Sequence, residues 1–467
     1  MIDLAQLDRL DFAGKNVTVV GLGIEGVDFV RFLIRRGAHV TISDSKSPDK
    51  LADRLHDVDG LGVSLSLGKN DSTAVSQADA VFISQSVPLD LPAIRAAQAA
   101  GVPLHSMVGL FLQLAPGPVI GITGSSGKTT TTALVSQMLR YDDRPVFTGG
   151  NIGIGLLDNL QDLRTYVWSV LEVSHTQLQL VDRSPHIASV LNITPNHLDR
   201  FSWDDYKTLK SNLIRHQTLD DIAILGYDDL EARSLQPLVR GRILSFSMSA
   251  TFPGEGVFVR DGVATAHIDG FDEPLFSLSS VALRGRHNQE NAVAAAAIAI
   301  AAGVSPDAIA SAVAAFRGVE HRLEHIGDVS GAQYYNDSIA TTPERTLAGL
   351  RSFEEPIVLL LGGRDKQLPL EEMAREALVR CRGIVLFGEA AGTLNDALAT
   401  LPNKLHVPIR RVDSLPDAVA AARAITQPGD VVLLSPACTS YDAYDNFEKR
   451  GEHFRHLVSQ LSEEVRP

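Results

Sequence analysis

Residues 121–131 read Gly-Ile-Thr-Gly-Ser-Ser-Gly-Lys-Thr-Thr-Thr, behind Pro118, Val119 and Ile120 and ahead of a helical pattern carried by Ala133, Leu134, Val135, Met138 and Leu139. A strand that runs through a glycine turn into a helix N-terminus commits this part of the chain to an α/β arrangement with an anion cradle. Backbone N–H groups converge at the turn, and the helix adds its positive dipole end. Lys128 is placed to reach the outer phosphates of a nucleotide, and the Thr129 hydroxyl to hold Mg²⁺. The loop is a variant: the glycine usually found five residues before Gly127 is replaced by Ile122, and Gly124 lies closer. The nucleotide-contacting run is therefore Gly124, Ser125, Ser126, Gly127, Lys128, Thr129 and Thr130. An ordinary glycine-rich turn is the competing explanation, and the strand–helix context argues against it.

The 467 residues suit about three domains of ~150 residues each. Strands alternating with helices imply parallel sheets whose ligands sit at strand C-terminal ends. The expected architecture is α/β in three domains. Residues 1–106 form a Rossmann-like domain, residues 107–317 a central domain around the phosphate loop, and residues 318–467 a Rossmann-like C-terminal domain. Strands are expected at Asn16–Val20, Ala38–Ser43, Ala80–Ser84, Val167–Val173, Ile187–Ile193, Ile222–Leu225, Ile357–Leu361, Ile384–Phe387 and Val431–Leu434. Gly101–Pro118 reads as the exit from the first unit. Residues 240–285 read as a β-rich insertion, and a long helix is expected from Asn288 to Ala302, stopping at Gly303.

A net charge of −14 disfavours nucleic acid as a partner, because its phosphates would be repelled. An acidic chain that binds ATP must focus positive charge locally at Lys128 and a few arginines. The two cysteines, Cys381 and Cys438, offer neither metal spacing nor a disulfide framework, which fits a reducing cytoplasm. The first residues are acidic where a secretory leader would be basic. The longest apolar run, Ala292–Gly303, is alanine-rich and too short to span a membrane.

Gly21-Leu-Gly-Ile-Glu-Gly26, followed by Asp44, matches the dinucleotide fingerprint. Alone it suggests an NAD-binding redox or regulatory protein. A second, lysine-bearing phosphate loop a hundred residues later is foreign to a dehydrogenase, whereas a UDP-linked substrate plus ATP accounts for two phosphate sites. Glu172 closes an apolar strand, where a carboxylate can hold a metal, and Mg²⁺ prefers one or two carboxylates with phosphates and water. Gly149-Gly150-Asn151 reads as a helix-opening turn with Asn151 left-handed. Lys210 reads as a surface lysine on an amphipathic helix, with Lys207 one turn earlier, and Asn288 as a helix cap.

The loop Gly-Ser-Ser-Gly-Lys-Thr resembles that of the Mur ligase family, bacterial enzymes that build the peptide of cell-wall precursors, and of its relative folylpolyglutamate synthetase. The resemblance runs over residues 15–460 with its motifs in family order. Gly149-Gly-Asn-Ile-Gly153 is similar to a turn of the D-glutamate-adding branch, which implies that Asn151 contacts the uridine-linked substrate together with Gly23, Ile24, Glu25, Asp44 and Ser45. Glu172-Val-Ser-His-Thr-Gln-Leu178 is similar to Glu-Leu-Ser-Ser-Phe-Gln-Leu, with His175 and Thr176 departing. Asn192-Ile-Thr-Pro-Asn-His-Leu-Asp199 implies that His197 joins the metal site and touches substrate. Tyr206-Lys-Thr-Leu-Lys210 resembles a Tyr-x-x-x-Lys segment whose lysine is carbamylated, which would make Lys210 an anion that helps hold Mg²⁺. Carbamylation needs a neutral amine, so burial or nearby cations must lower the lysine pKa. His287-Asn288-Gln-Glu-Asn291-Ala292 resembles a superfamily box whose asparagines bind the adenine end of ATP.

In the third unit, His321-Arg322 implies an arginine on ATP phosphates, a role its bidentate geometry suits. Asn336-Asp337-Ser338 resembles the D-glutamate-adding branch and places Asp337 on the ribose. Leu361-Gly-Gly-Arg-Asp-Lys366 and Ser435-Pro-Ala-Cys-Thr-Ser440-Tyr441, followed by Asn446-Phe447, imply a glutamate pocket of Thr341, Lys366, Ser440, Tyr441 and Phe447. Two positions depart. The usual Asn-Asp-Ser-Lys-Ala-Thr has Ile339 in place of the lysine, and Tyr441 replaces a leucine.

The resemblance implies ATP- and Mg²⁺-dependent amide formation on UDP-N-acetylmuramoyl-L-alanine through an acyl phosphate. Glutamate is the incoming amine, and the likeness to the D-glutamate-adding branch implies the D form. The protein would be a cytoplasmic monomer acting on small molecules, with no nucleic-acid or membrane partner. Hinge motion is expected near residues 317–320, so that the glutamate-bearing unit can close on the central one. An L-glutamate-adding variant, a folylpolyglutamate-type ligase and an NAD-binding protein remain as alternatives. The second of these lacks a UDP-binding unit like residues 1–106.

Overall fold

Aliphatic runs set the architecture. Val119–Thr123, Ile357–Gly362 and Val431–Ala437 are buried along their whole length, as strands covered on both faces must be. A computed structural model describes residues 11–152, 155–195, 201–250, 254–283 and 285–464. Its described residues divide into two units, one ending at Phe316 and the other beginning at Arg317.

The first unit holds two sheets. Strands β1 (Asn16–Val20), β2 (His39–Asp44), β3 (Ser64–Leu67), β4 (Ala80–Ile83) and β5 (Leu104–His105) form a parallel sheet in the order β3-β2-β1-β4-β5. The order reverses beside β1, so the Gly21 turn lies at the switch point, where such sheets take ligands. Residues 101–118 are not an irregular exit. They contain β5 and the buried helix Met107–Leu114, whose cap Ser106 accepts from Gly109 N at 3.1 Å. The apolar run Met-Val-Gly-Leu-Phe-Leu overrides the flanking prolines and glycines.

The larger sheet contains β6 (Val119–Thr123), β7 (Val146–Gly150), β8 (Trp168–Glu172), β9 (Ile187–Val190), β10 (Ile222–Gly226), β11 (Arg242–Ser247), β12 (Gly256–Arg260), β13 (Val263–Ile268) and β14 (Phe271–Ser277), ordered β14-β13-β12-β11-β10-β9-β6-β8-β7. β6 to β11 pair in parallel, and the β-rich insertion adds the antiparallel pairs β12–β13 and β13–β14 at one edge. The alanine-rich helix runs Arg286–Ala301 with Gly285 as its cap residue, so Asn288 lies inside the first turn and does not cap it.

Buried polar contacts join the two sheets of this unit. Asp28, 3% exposed, accepts from Leu157 N (2.9 Å) and Asp158 N (2.8 Å), and burial raises its pKa. Glu25 accepts from Gln177 Nε2 (2.8 Å) and Gln85 N (2.7 Å).

The second unit is one six-stranded sheet of β15 (Glu324–Val329), β16 (Ala332–Asn336), β17 (Ile357–Gly362), β18 (Cys381–Phe387), β19 (Ile409–Arg411) and β20 (Val431–Ala437), ordered β15-β16-β20-β17-β18-β19. Only β15 is antiparallel. Arg450, fully buried on the C-terminal helix Phe447–Glu464, ties the strand ends together. It donates to Ser338 O (2.9 Å), Ser338 Oγ (3.0 Å), Thr439 O (3.1 Å), Cys438 O (3.2 Å) and Gly362 O (3.4 Å), and burial pulls its pKa down to about 10.

Arg450→Met strands several buried carbonyls. We expect it to destabilise the second unit by about 3 kcal/mol or more. The loss should be read as lower amide protection across residues 317–464, with protection in the first unit's strands unchanged.

Candidate active site

The phosphate loop leaves β6 at its C-terminal end, between β8 and β9. Gly127 has φ +80 and begins the helix Lys128–Tyr141, and a Cβ there would lie 2.3 Å from Asn291 Oδ1. Only glycine meets both conditions. The first helical hydrogen bond runs from Thr131 N to Gly127 O (3.0 Å), so the helix opens directly at the loop with its positive dipole end there. Lys128 curls over the loop and donates to Gly124 O (2.9 Å) and Ser125 O (3.3 Å).

A brace from the neighbouring strand fixes the loop. Beyond β9, Asn192 accepts from Ser125 N at its carbonyl (3.0 Å) and from Ser126 N at its side chain (2.9 Å). Thr194 N donates to Ser125 Oγ (2.9 Å), which also donates to Thr194 O (3.0 Å) and lies 3.1 Å from Tyr206 Oη. The Ser125 hydroxyl is thus turned to the scaffold rather than to a ligand. Neither Asn192 nor Tyr206 was singled out from sequence as a site residue, although both lie inside the motifs.

On the other side, Glu172 ends β8 in register with Ile122. It is 3% exposed. Its Oε1 accepts from Asn151 Nδ2 (2.9 Å), its carbonyl accepts from Asn151 N (2.8 Å), and its Oε2 is buried with no hydrogen-bond partner among the described residues. Asn151 is not left-handed: the positive φ (+97) belongs to Gly150, where a Cβ would lie 2.1 Å from Glu172 O. A buried carboxylate oxygen with no proton donor beside a phosphate loop fits a divalent cation. Thr129, next to Lys128 in the first turn of the loop helix, is the hydroxyl that the loop motif assigns to the same role. His197 lies outside the described residues.

The two lysines of helix Trp203–Arg215 separate cleanly. Lys207 is ion-paired with Asp204 (3.2 Å) and Glu231 (3.5 Å). Lys210 is 1% exposed, its Nζ sits 4.8 Å from the Tyr206 ring centroid, and it makes no hydrogen bond among the described residues. Burial first, and then the Lys128 charge, hold its pKa well below the ordinary lysine value. His175, one of the departing positions, packs its ring against Tyr206 (5.1 Å) and Phe201 (5.2 Å).

The asparagines of the long helix sit together. Asn291 Nδ2 donates to Asn288 Oδ1 (3.3 Å), and Asn291 abuts the loop at Gly127. At the Gly21 turn, Gly23, Ile24 and Ser45 are exposed. Asp44 is buried and accepts from Leu22 N and Lys46 N (both 2.8 Å). Both Glu25 oxygens are taken at the junction described above, and burial raises the pKa of that carboxyl. The acids therefore shape the turn.

In the second unit the candidate residues gather at the C-terminal edge of the sheet. Asp337 is buried, accepts from Ser435 Oγ (2.8 Å) and Leu323 N (3.2 Å), and burial raises its pKa to about 7. Arg322 is exposed. Lys366 Nζ donates to Thr341 Oγ1 (3.2 Å). Ser440 is buried and Tyr441 is 52% exposed. Phe447 meets the His321 ring edge-on at 6.1 Å and accepts from Ser338 Oγ (2.8 Å) at its carbonyl.

Comparison with known proteins agrees across the chain. Residues 15–106 match the family described as Mur ligase MurD-like, N-terminal domain; residues 122–299 match Mur ligase middle domain; and residues 321–438 match Mur ligase, glutamate ligase domain. The UDP-N-acetylmuramoylalanine–D-glutamate ligase of Symbiobacterium thermophilum is 40% identical over 450 residues, 96% of this chain and 98% of the relative. That of Clostridium perfringens is 37% identical, over 96% and 97%. Among solved structures, UDP-N-acetylmuramate-alanine ligase from Thermotoga maritima shares the fold at 18% identity, TM-score 0.53, covering 96% of this chain and 99% of that one.

The Lys210 amine titrates below its unfolded value of about 10.4. At neutral pH, folding must therefore shed a proton or bury a charge. That cost is full below the folded pKa and fades as pH rises toward the unfolded one. Lys210→Met in CO2-depleted buffer should raise the melting temperature at pH 7, with the gain shrinking toward pH ~10, as followed by calorimetry.

Proposed function

The chain belongs to the Mur ligase family, and on that premise we propose that it joins D-glutamate to UDP-N-acetylmuramoyl-L-alanine in an ATP-dependent ligation of peptidoglycan precursor synthesis. The observation that carries this reading is a convergence at one sheet edge: the phosphate loop with Lys128, the Glu172 oxygen on the adjacent strand that has no hydrogen-bond partner among the described residues, and Lys210, whose pKa is lowered by burial and then by the Lys128 charge. Relatives matched over nearly their full length carry the D-glutamate name, which favours that enantiomer over the L form.

A free carboxylate is a poor electrophile. An oxygen of the alanine carboxylate attacks the γ-phosphorus of ATP and ADP leaves. The amine nitrogen of glutamate, having lost a proton, attacks the acyl-phosphate carbonyl, and phosphate departs with the cleaved C–O bond. Lys128 and the helix N-terminus hold negative charge on the transferred phosphoryl group. Arg322 adds a guanidinium for the same charge. Mg²⁺, when bound through Glu172 and Thr129, supplies further neutralisation of the phosphates. His197 is assigned to this site by its sequence motif. Asn288 and Asn291 take the adenine end and Asp337 the ribose. Gly23, Ile24, Ser45 and Asn151 face the uridine-linked substrate, with Asp44 and Glu25 shaping their turn. Thr341, Lys366, Ser440, Tyr441 and Phe447 receive glutamate.

Lys210 enters as its carbamate: the neutral Nζ attacks CO2, a C–N bond forms, and a proton is released. The product is an anion where an ammonium would repel both Lys128 and a metal. One chain carries all these groups, which supports a monomer. ATP and UDP-linked sugars are cytoplasmic solutes, which supports that location.

Phosphate release measured with ATP, Mg²⁺, UDP-N-acetylmuramoyl-L-alanine and each glutamate enantiomer should show turnover with the D form. No release with either would overturn the assignment. Lys128→Ala should lower turnover by about a hundredfold or more, and full activity in that variant would remove its phosphate role. Carbon-13 bicarbonate should give a protein-bound carbamate resonance that Lys210→Ala abolishes. A resonance that persists in the variant refutes the modification of Lys210.

A further inference from the structure

The segment after β16 lacks a cation where the resembling pattern has lysine: Ile339 offers only its backbone there. The structure brings another cation to the same segment. Arg345, exposed on the first turn of helix Pro343–Leu350, donates from Nη1 to Ile339 O at 3.1 Å. Thr341 N also donates to Ile339 O (2.8 Å), and Thr341 Oγ1 accepts from Lys366 Nζ at 3.2 Å. A guanidinium and an ammonium therefore flank residues 339–341, one from the helix and one from the loop after β17. Their charges bear on each other: after burial, Arg345 is the next influence holding Lys366 below the ordinary lysine value.

Glutamate brings two carboxylates, and one lysine matches one of them. We propose that Arg345 binds a carboxylate of the incoming dicarboxylic amino acid beside Lys366, replacing the side chain that position 339 no longer supplies. The inference rests on the function proposed above. A guanidinium suits the task because its fork binds both oxygens of a planar carboxylate. The competing role, counter-ion to Asp337, is a weaker account, since Asp337 takes its hydrogen bonds from Ser435 Oγ and Leu323 N. The arrangement also predicts discrimination: an amino acid with a single carboxylate would leave one of the two cations without its ligand group.

The test varies D-glutamate at saturating ATP and UDP-N-acetylmuramoyl-L-alanine in the full chain. Arg345→Met should raise KM for glutamate about tenfold or more, leave KM for ATP and for the UDP substrate unchanged, and change kcat little. Arg345→Lys should recover part of the loss. The double variant Ile339→Lys/Arg345→Met should regain glutamate affinity, a gain that misfolding cannot produce. An unchanged glutamate KM in Arg345→Met, an equal rise in all three KM values, or a double variant no better than Arg345→Met would overturn the role. These outcomes presuppose a wild-type chain that turns over; a wild type inactive with both enantiomers would instead overturn the function itself.

Discussion

Two lysines of like charge share the ground beneath the phosphate loop, and one of them is buried. Lys128 has a reason to be there, because the loop and helix start are built to receive an anion. Lys210 has no such reason as an ammonium: it is 1% exposed and makes no hydrogen bond among the described residues, and the nearby charge repels it. Burial without a counter-ion is a large cost for a charged amine. The arrangement makes sense when the amine sheds its proton, since the neutral form is both cheaper to bury and nucleophilic. The rest of the site follows from this constraint. Tyr206 covers the amine and bonds to Ser125 of the loop, so the residue that desolvates Lys210 also positions the phosphate cradle.

The same economy appears on the other flank. Glu172 needs one oxygen fixed and one bare. Asn151 fixes the first through its amide while its own N–H holds the Glu172 carbonyl. Gly150 permits that approach, because any side chain there would strike the strand. A short glycine-glycine-asparagine turn at the end of β7 thus orients a carboxylate on the neighbouring strand β8. In the second unit Arg450 plays a comparable part. By donating to carbonyls from the ends of β17 and β20 and the loop after β16, it holds three separate pieces of chain in one layout. Lys366, Thr341 and Ser440 then occupy fixed places along the sheet edge.

Much of this was legible in the sequence where one residue type answers one local demand. The phosphate loop, the strand ending in Glu172 and the long alanine helix are such cases: periodicity and turn chemistry suffice. Residues 101–118 misled because prolines and glycines at their ends hid a short buried helix. Asn288 looked like a cap because its type favours caps, yet Gly285 takes that place. The braces were illegible for a different reason. Asn192 and Arg450 matter through backbone carbonyls and N–H groups far away in sequence, and no spacing rule encodes such partners. The partners of Glu25 and Asp44 were equally hidden: the motif points to a ligand for these acids, and only the fold shows that Leu22, Lys46, Gln85 and Gln177 also hydrogen-bond to them.

An acidic chain that handles phosphates and carboxylates must keep its cations where they are needed. Exposed arginines such as Arg351, Arg364, Arg375 and Arg380 are paired with glutamates, and such surface pairs add little stability. Their effect is to remove competing positive charge. The cations at the sheet edges are held differently: Lys128 by loop carbonyls, Lys366 by a hydroxyl and Arg345 by the Ile339 carbonyl. Neutral oxygens help to orient these groups. Neutral partners alone do not mark an anion site, since Arg450 is held by carbonyls and a hydroxyl inside the fold; Lys128, Lys366 and Arg345 are set apart by their place at the ends of strands, where α/β sheets take ligands.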